Sequence, residues 1–273
     1  MPIIAITREM GSLGKDVASA LGEELGLPVI YHEVIDHLAD RMRVRKSHVI
    51  RLLDGSAGLL ERLTADETSL SIFTADEIYA IAAKGGAIIR GWGATHLLRD
   101  VPHALSVRVC APFELRKRRM MERLNSEDEQ RVGEEIRIND EAHSAIVRRH
   151  FGLQWTESEH YDIVLNTKRV SVGECVSEVM TLARSPQFGE TQGSRQKLDD
   201  LALAARVRAA LRRAPETREA VVQVSSDIGR ITLSGASSTD EMLAFVEVAS
   251  AVPGVRDVAY RTHPGEEVRP RFH

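Results

Sequence analysis

The residues best suited to chemistry form one short segment, 8–16, which reads Arg-Glu-Met-Gly-Ser-Leu-Gly-Lys-Asp. It follows an apolar run at 2–6 of the kind that makes a strand buried on both faces. After it, Val17, Leu21 and Leu25 recur every fourth residue, a helical spacing, and Gly26 suits the position just past a last turn. A loop between a strand and a helix points free backbone N–H groups and the positive end of the helix dipole at an anion. Gly11 and Gly14 would let a phosphate approach the backbone closely. Against the phosphate-loop pattern GxxxxGK[ST], Glu9 replaces the first glycine and Asp16 the metal-binding hydroxyl. The letters alone fit an ordinary glycine-containing turn equally well; the strand-to-helix position favours phosphate.

A second group is basic. Arg116, Lys117, Arg118, Arg119 and Arg123 share one predicted helix, followed by Arg131, Arg137, Arg148 and Arg149. Phosphoryl transfer spreads negative charge over the transferred group, and arginines neutralise it with paired N–H bonds. Glu114, Glu122, Glu127, Asp128 and Glu129 are interleaved with them, which also fits a solvated, salt-bridged surface. Asn166 and Thr167 end the last strand of this region, on the side where nucleotides bind in open αβ sheets. Trp155 reads as a packing anchor, and Glu33 as a helix-start carboxylate beside His32.

Positioning these groups requires a scaffold. Strand-like runs recur at 27–31, 87–89, 105–110 and 161–165. The pairs Thr74/Glu77, Ser126/Glu129 and Ser171/Glu174 have the Ser/Thr-x-x-Glu spacing of a capping box and predict three helix starts. Alternating strands and helices predict an α/β fold: a mainly parallel sheet with helices on both faces. Residues 1–184 form this domain, and the polar 185–197, without periodicity, reads as a linker. From 198 to 264 the order is αββαβ, with a helix at 199–213, strands at 220–225, 230–234 and 256–262, and a helix at 239–251; 265–273 is a polar tail.

Composition bounds the function. A chain of 273 residues with 43% apolar content can build two packed cores. A net charge of −4 gives no global field to recruit nucleic acid or an acidic membrane. The two cysteines, Cys110 and Cys175, are too far apart in sequence for a metal or redox motif and read as core fillers. The start MPIIAITRE has no basic leader, and no window matches a membrane span, so a cytoplasmic location is expected.

The string ITREMGSLGKDVASALGEELGLPVIY resembles the start of the cytidylate kinase-like family, with its Ser/Thr-Arg-Glu loop and Leu-Gly-Ile/Leu-Pro step into the second strand. AIIRGWGATHLL resembles that family's third strand and Gly-Arg-Gly-Ala turn, VCAPFELRKRR its strand and lid helix, and residues 155–167 its closing Asp-x-Val-x-Asn-Thr strand. The resemblance implies a P-loop kinase fold and transfer of the ATP γ-phosphate, with Mg²⁺, to a nucleoside monophosphate, CMP or dCMP. It implies that Gly11, Ser12, Leu13, Gly14, Lys15 and Asp16 hold the phosphates and that Asn166 contacts the nucleotide. By the same likeness Lys15, Arg116, Arg119 and Arg137 stabilise the transferred group, and Glu33, Arg90 and Asp140 serve the acceptor. Three departures stand out. Lys15 lies one residue late, a turn of ~100° on a helix. Trp92 replaces the acceptor-phosphate arginine, with Arg90 two residues earlier, and His143 replaces an arginine after Asp140. A nucleotide kinase and a catalytically weak nucleotide sensor are therefore both carried forward. The segment VQVSSDIGRITLSGASSTDEMLAFVEVASAVPGVRDVAY resembles a BON domain, which implies binding of phospholipid or another small ligand; as a plain small αβ module the same segment fits packing or homo-oligomer contacts equally well.

Overall fold

The computed structural model describes residues 2–53, 66–91, 93–219, 221–235 and 238–261. Trp92, the first residue of the strand expected at 220–225, the last of that expected at 256–262, and the expected tail at 265–273 lie outside them. The chain divides into two compact units, Met1–Glu67 with Lys84–Thr191, and Thr68–Ala83 with Gln192–His273.

In the first unit the strands are β1 (Ile3–Arg8), β2 (Val29–Ile30), β3 (Ala87–Arg90), β4 (Ala104–Cys110) and β5 (Ile163–Asn166). They form one sheet in the order β2-β3-β1-β4-β5, every neighbouring pair parallel. β1 and β3 are buried at successive positions, so both faces of the sheet are covered. Helix α1 (Gly14–Leu25) connects β1 to β2, and α2 (His32–Met42) and α3 (Lys46–Leu53) follow. One face packs Ile4, Ile6, Val107 and Val109 against Val17 and Leu21 of α1 and against Val176 and Val179 of a later helix, α8 (Val172–Ala183). The strand expected at 27–31 shortens to two residues: Pro28 has no N–H to give, and the Leu27 amide turns back to the Gly22 carbonyl at 3.0 Å.

The capping predictions divide. Ser171 and Glu174 do form the reciprocal cap of α8. Thr74 and Glu77 do not start a helix: both lie inside α4 (Glu67–Ala83), where they are buried. Ser126 lies just before a helix start, but the cap is Asp128, whose carboxylate accepts from the Arg131 amide at 2.9 Å and opens α7 (Glu129–Phe151). Between α4 and α7 lie α5 (Ala94–Leu97), packed on β1 and β4, and α6 (Phe113–Leu124).

The second unit contains α9 (Gln192–Arg213), β6 (Gln223–Asp227), β7 (Arg230–Ser234), α10 (Thr239–Ser250) and β8 (Asp257–Arg261), the expected αββαβ order. β6 pairs antiparallel and β8 parallel to the central β7. Its core joins Val207 and Leu211 of α9 to Ile231, Leu233, Phe245 and Tyr260, the two rings stacked at 6.2 Å. Two features differ from expectation. α9 begins at Gln192, inside the expected linker, because Arg195–Asp199 (3.1 Å) and Gln196–Asp200 (3.0 Å) are side-chain pairs one turn apart that favour helix without apolar periodicity. The second unit also includes α4, from the middle of the expected first domain. Arg212 donates to Ser69 Oγ at 2.7 Å, Arg195 to the Ala83 carbonyl at 2.6 Å, and Arg213 lies 3.9 Å from the buried Asp76.

Candidate functional site

The loop between β1 and α1 is shaped by its backbone. Gly11 has φ 79° and Leu13 φ 64°, both left-handed, and for a leucine that conformation costs about 1–2 kcal/mol. Such strain marks a segment whose surroundings hold it in place. Below it, Ser12 is fully buried and its hydroxyl donates to the Val109 carbonyl at 3.0 Å. Leu13 is the residue preceding α1 and supplies no side-chain cap, so the first amides of α1 have no such partner. The helix thus presents uncapped N–H groups and its positive dipole end to the loop.

These residues line an open cleft of about 530 Å³, walled by Arg8, Gly11, Leu13, Gly14, Lys15, Asp16, Arg119, Met120, Glu122 and Arg123. Four basic and two acidic side chains make it cationic. Lys15 is exposed at the second position of α1, and Arg119 enters from α6 with its guanidinium fixed by the Thr167 hydroxyl (3.0 Å) and carbonyl (2.9 Å). Thr167 in turn donates to the Ser12 carbonyl at 2.8 Å, which ties the end of β5 to the loop.

Behind the loop lies an ion network that the sequence did not reveal. Glu9 pairs with Arg108 of β4 at 2.7 Å and with Arg116 of α6 at 3.3 Å, and accepts from the Ala111 amide at 3.1 Å. Arg116 also donates to the Ala111 carbonyl at 3.0 Å and the Met10 carbonyl at 3.2 Å, and grips both oxygens of Asp140 on α7 at 3.2 and 2.8 Å. Arg108 and Arg116 are buried, so these bonds act in a low dielectric. A Cβ on Gly11 would come within 2.7 Å of the Arg116 carbonyl, and one on Gly14 within 2.6 Å of Arg8 Cβ. The close approach that these glycines permit is therefore protein against protein.

The expected site residues are sorted accordingly. Gly11, Leu13, Gly14, Lys15, Asp16 and Arg119 meet at the cleft, with Ser12 beneath them. Arg116 and Asp140 pair with each other and do not line it. Arg137 lies outside it too, its guanidinium 4.7 Å from the Phe113 ring centre and 3.8 Å from Glu134. Asn166 sits at the exposed end of β5 and accepts from the Lys168 amide at 3.0 Å. Arg90 stacks on the Tyr31 ring at 3.8 Å, and Glu33 accepts from the Tyr31 backbone amide at 3.1 Å, so these two acceptor candidates both contact Tyr31. His143 stacks on the buried Trp155 at 5.2 Å and its Nδ1 meets the Asn139 carbonyl at 2.9 Å. Trp155 is the packing anchor expected, donating to Thr7 Oγ1 at 3.0 Å. Of the cysteines, Cys175 lies in the core; Cys110 is half-buried at the end of β4, and burial raises its thiol pKa. Among the described residues no helix is long and apolar enough to cross a membrane.

A strained loop, an uncapped helix start and a cationic cleft at the C-terminal edge of a parallel sheet define a P-loop kinase-type αβ protein. Residues 3–169 match the model of the cytidylate kinase-like family, and residues 199–263 match that of the BON domain. The chain belongs to the cytidylate kinase-like family and carries a C-terminal BON domain. Among solved structures it is similar to an uncharacterized protein from Eubacterium ventriosum, at 23% identity over 68% of this chain and 99% of that one, with a TM-score of 0.53. It also matches shikimate kinases from Acinetobacter baumannii, in complex with shikimate (13% identity, 67% and 92% covered, TM-score 0.41), and from Bacteroides thetaiotaomicron (15%, 67% and 99%, 0.40). A comparison with curated proteins finds no match.

Proposed function

We propose that the first unit binds ATP through its β1–α1 loop and transfers the γ-phosphoryl group to a nucleoside monophosphate, CMP or dCMP by family likeness. The observation that carries this reading is the uncapped N-terminus of α1 opening onto a cleft with Lys15, Arg119 and Arg123 on its walls. The helix start and these cations offset the charge of the β- and γ-phosphates. Glu9, Arg108, Arg116 and Asp140 position the loop and the lid helices α6 and α7 from behind. Arg137 joins the phosphates only on closure of that lid. Asn166 contacts the base or ribose, and Arg90 and Glu33 hold the acceptor beside Tyr31. Asp16 and Glu122 are hard oxygen donors of the kind Mg²⁺ takes, and that ion would neutralise phosphate charge in the cleft. The BON domain localises or regulates the kinase from the cytoplasm by binding a phospholipid or small ligand.

A second reading, a nucleotide sensor with little turnover, draws on one specific observation: Arg116 and Arg137 do not line the cleft. ADP formation from Mg²⁺ATP with a panel of nucleoside monophosphates separates the two. Release above background ATPase with CMP or dCMP supports the kinase. ATP binding without transfer to any acceptor removes it and leaves the sensor.

A further inference from the structure

His96, on α5, is 3% exposed, and among the described residues neither of its ring nitrogens has a hydrogen-bond partner. A buried imidazole with both nitrogens unsatisfied is costly, and such a group calls for an explanation. Three rings surround it: Phe151 at 5.2 Å, Tyr161 at 5.8 Å and His160 at 6.4 Å, the last nearly perpendicular. Phe151 is apolar, and the Tyr161 hydroxyl is already donated to the Trp155 carbonyl at 2.7 Å. His160 is therefore the neighbour with which His96 can share a ligand.

His160 belongs to a second feature. It closes the short 3-10 turn Ser158–His160, and Glu157, Glu159 and His160 each bring a ligand atom within 4.8 Å of the others. His160 Nε2 already lies 3.0 Å from a Glu157 oxygen. Two imidazoles and two carboxylates make a four-donor set typical of zinc-class ions, with bonds of ~2.0–2.2 Å. Two rings on one such ion have centres ~5 Å apart, so the His96 and His160 rings must close by roughly 1.4 Å, and the His96 nitrogen, which lies outside the 4.8 Å group, must swing into it. Burial, reinforced by the charges of His160 and Arg99, pushes His96 down to about 4, so its ring is neutral and able to ligate at neutral pH. The two glutamates would supply negative charge against that of a bound divalent ion.

We infer that His96, Glu157, Glu159 and His160 bind one divalent transition-metal ion of the zinc class, clamping α5 to the turn that precedes β5. None of the four lines the β1–α1 cleft, so the site is separate from any Mg²⁺ used in phosphoryl transfer.

The test uses the full chain, stripped with a chelator and titrated with Co²⁺ and then Zn²⁺. The expected result is one equivalent of Co²⁺ with the intense visible absorption of four-coordinate cobalt, displaced by one equivalent of Zn²⁺. His96→Phe, which keeps the aromatic packing, and His160→Gln should each weaken Zn²⁺ binding at least ~10-fold. Zinc should raise the melting temperature of the wild type and not of the variants. If His96→Phe itself unfolds, His96→Gln repeats the measurement. Failure to bind Co²⁺, a weak six-coordinate spectrum, or loss of affinity in His160→Gln but not in the His96 variants would each overturn the site, the last leaving an adventitious surface pair.

Discussion

Arg116 offers the sharpest separation between a phosphate ligand and a positioning residue, and Arg116→Met is the substitution that exposes it. Methionine keeps most of the buried stem and removes the guanidinium, whose side chain is 6% exposed. Three contacts to carboxylates are lost, two to Asp140 and one to Glu9, together with donors to the Met10 and Ala111 carbonyls. Breaking one side of a buried ion pair costs about 3–5 kcal/mol, since the partner charge stays behind. Here Glu9 keeps Arg108 and the Ala111 amide, and Asp140, 26% exposed, can rehydrate, so the lower end of that range applies. A loss of about 3 kcal/mol lowers the urea midpoint of the first unit by roughly 1–3 M. The assay is urea unfolding without nucleotide, since a residue kept for phosphate would matter only when phosphate is bound. Arg116→Met within about 0.5 kcal/mol of the wild type would refute the positioning role.

Other outcomes follow from the same geometry. Gly11→Ala should lower stability by about 1–3 kcal/mol, because the new Cβ meets the Arg116 carbonyl at 2.7 Å with φ at 79°; an unchanged thermal midpoint would show that the loop shifts freely. Ser238→Ala, which removes the capping box of α10, should cost about 1 kcal/mol in a denaturant titration. Bonds from Ser238 hold the Glu241 carboxyl below its ordinary 4.5, so the carboxylate's contribution is present above that pH and fades as pH falls through the lowered value; an unchanged pH profile in the variant would contradict this. A fragment starting at Gln192 lacks α4 and its contacts with Arg195, Arg212 and Arg213, so it should unfold at lower urea than the same unit in the whole chain, and equal midpoints would dismiss the role of α4.

Much of the scaffold was legible because its signals are local. The apolar run before Arg8, the four-residue rhythm of Val17, Leu21 and Leu25, and the Ser171/Glu174 box each act within a few residues, and each forms as expected. The same box spacing misled at Thr74, since α4 already begins at Glu67 and Thr74 and Glu77 lie in its interior, where no free helix-start amides remain to be capped, and nothing local distinguishes the two settings. The place of α4 with the C-terminal unit was hidden for a related reason: its partners Arg195, Arg212 and Arg213 lie more than a hundred residues away. At the cleft, the placement of Gly11, Gly14 and Lys15 was legible from position and pattern, and that of Leu13 from the family resemblance; their role there is proposed. The role of Arg116 was not, because Glu9, Met10 and Asp140 come from a loop and a helix that only the fold brings together. A charged residue inside the apolar strand run at Arg108 was the one signal of that network available in advance.

The central claim is that the loop at the start of α1 is the nucleotide phosphate site, and calorimetry of ATP binding to wild type and Lys15→Ala tests it most directly. Lys15 is exposed on the cleft wall, so its removal should leave folding intact while deleting a charged bond worth about 1.5–3 kcal/mol. The account predicts ATP affinity weakened roughly 10- to 150-fold in a protein of unchanged melting temperature. Equal affinity in the two proteins would contradict it.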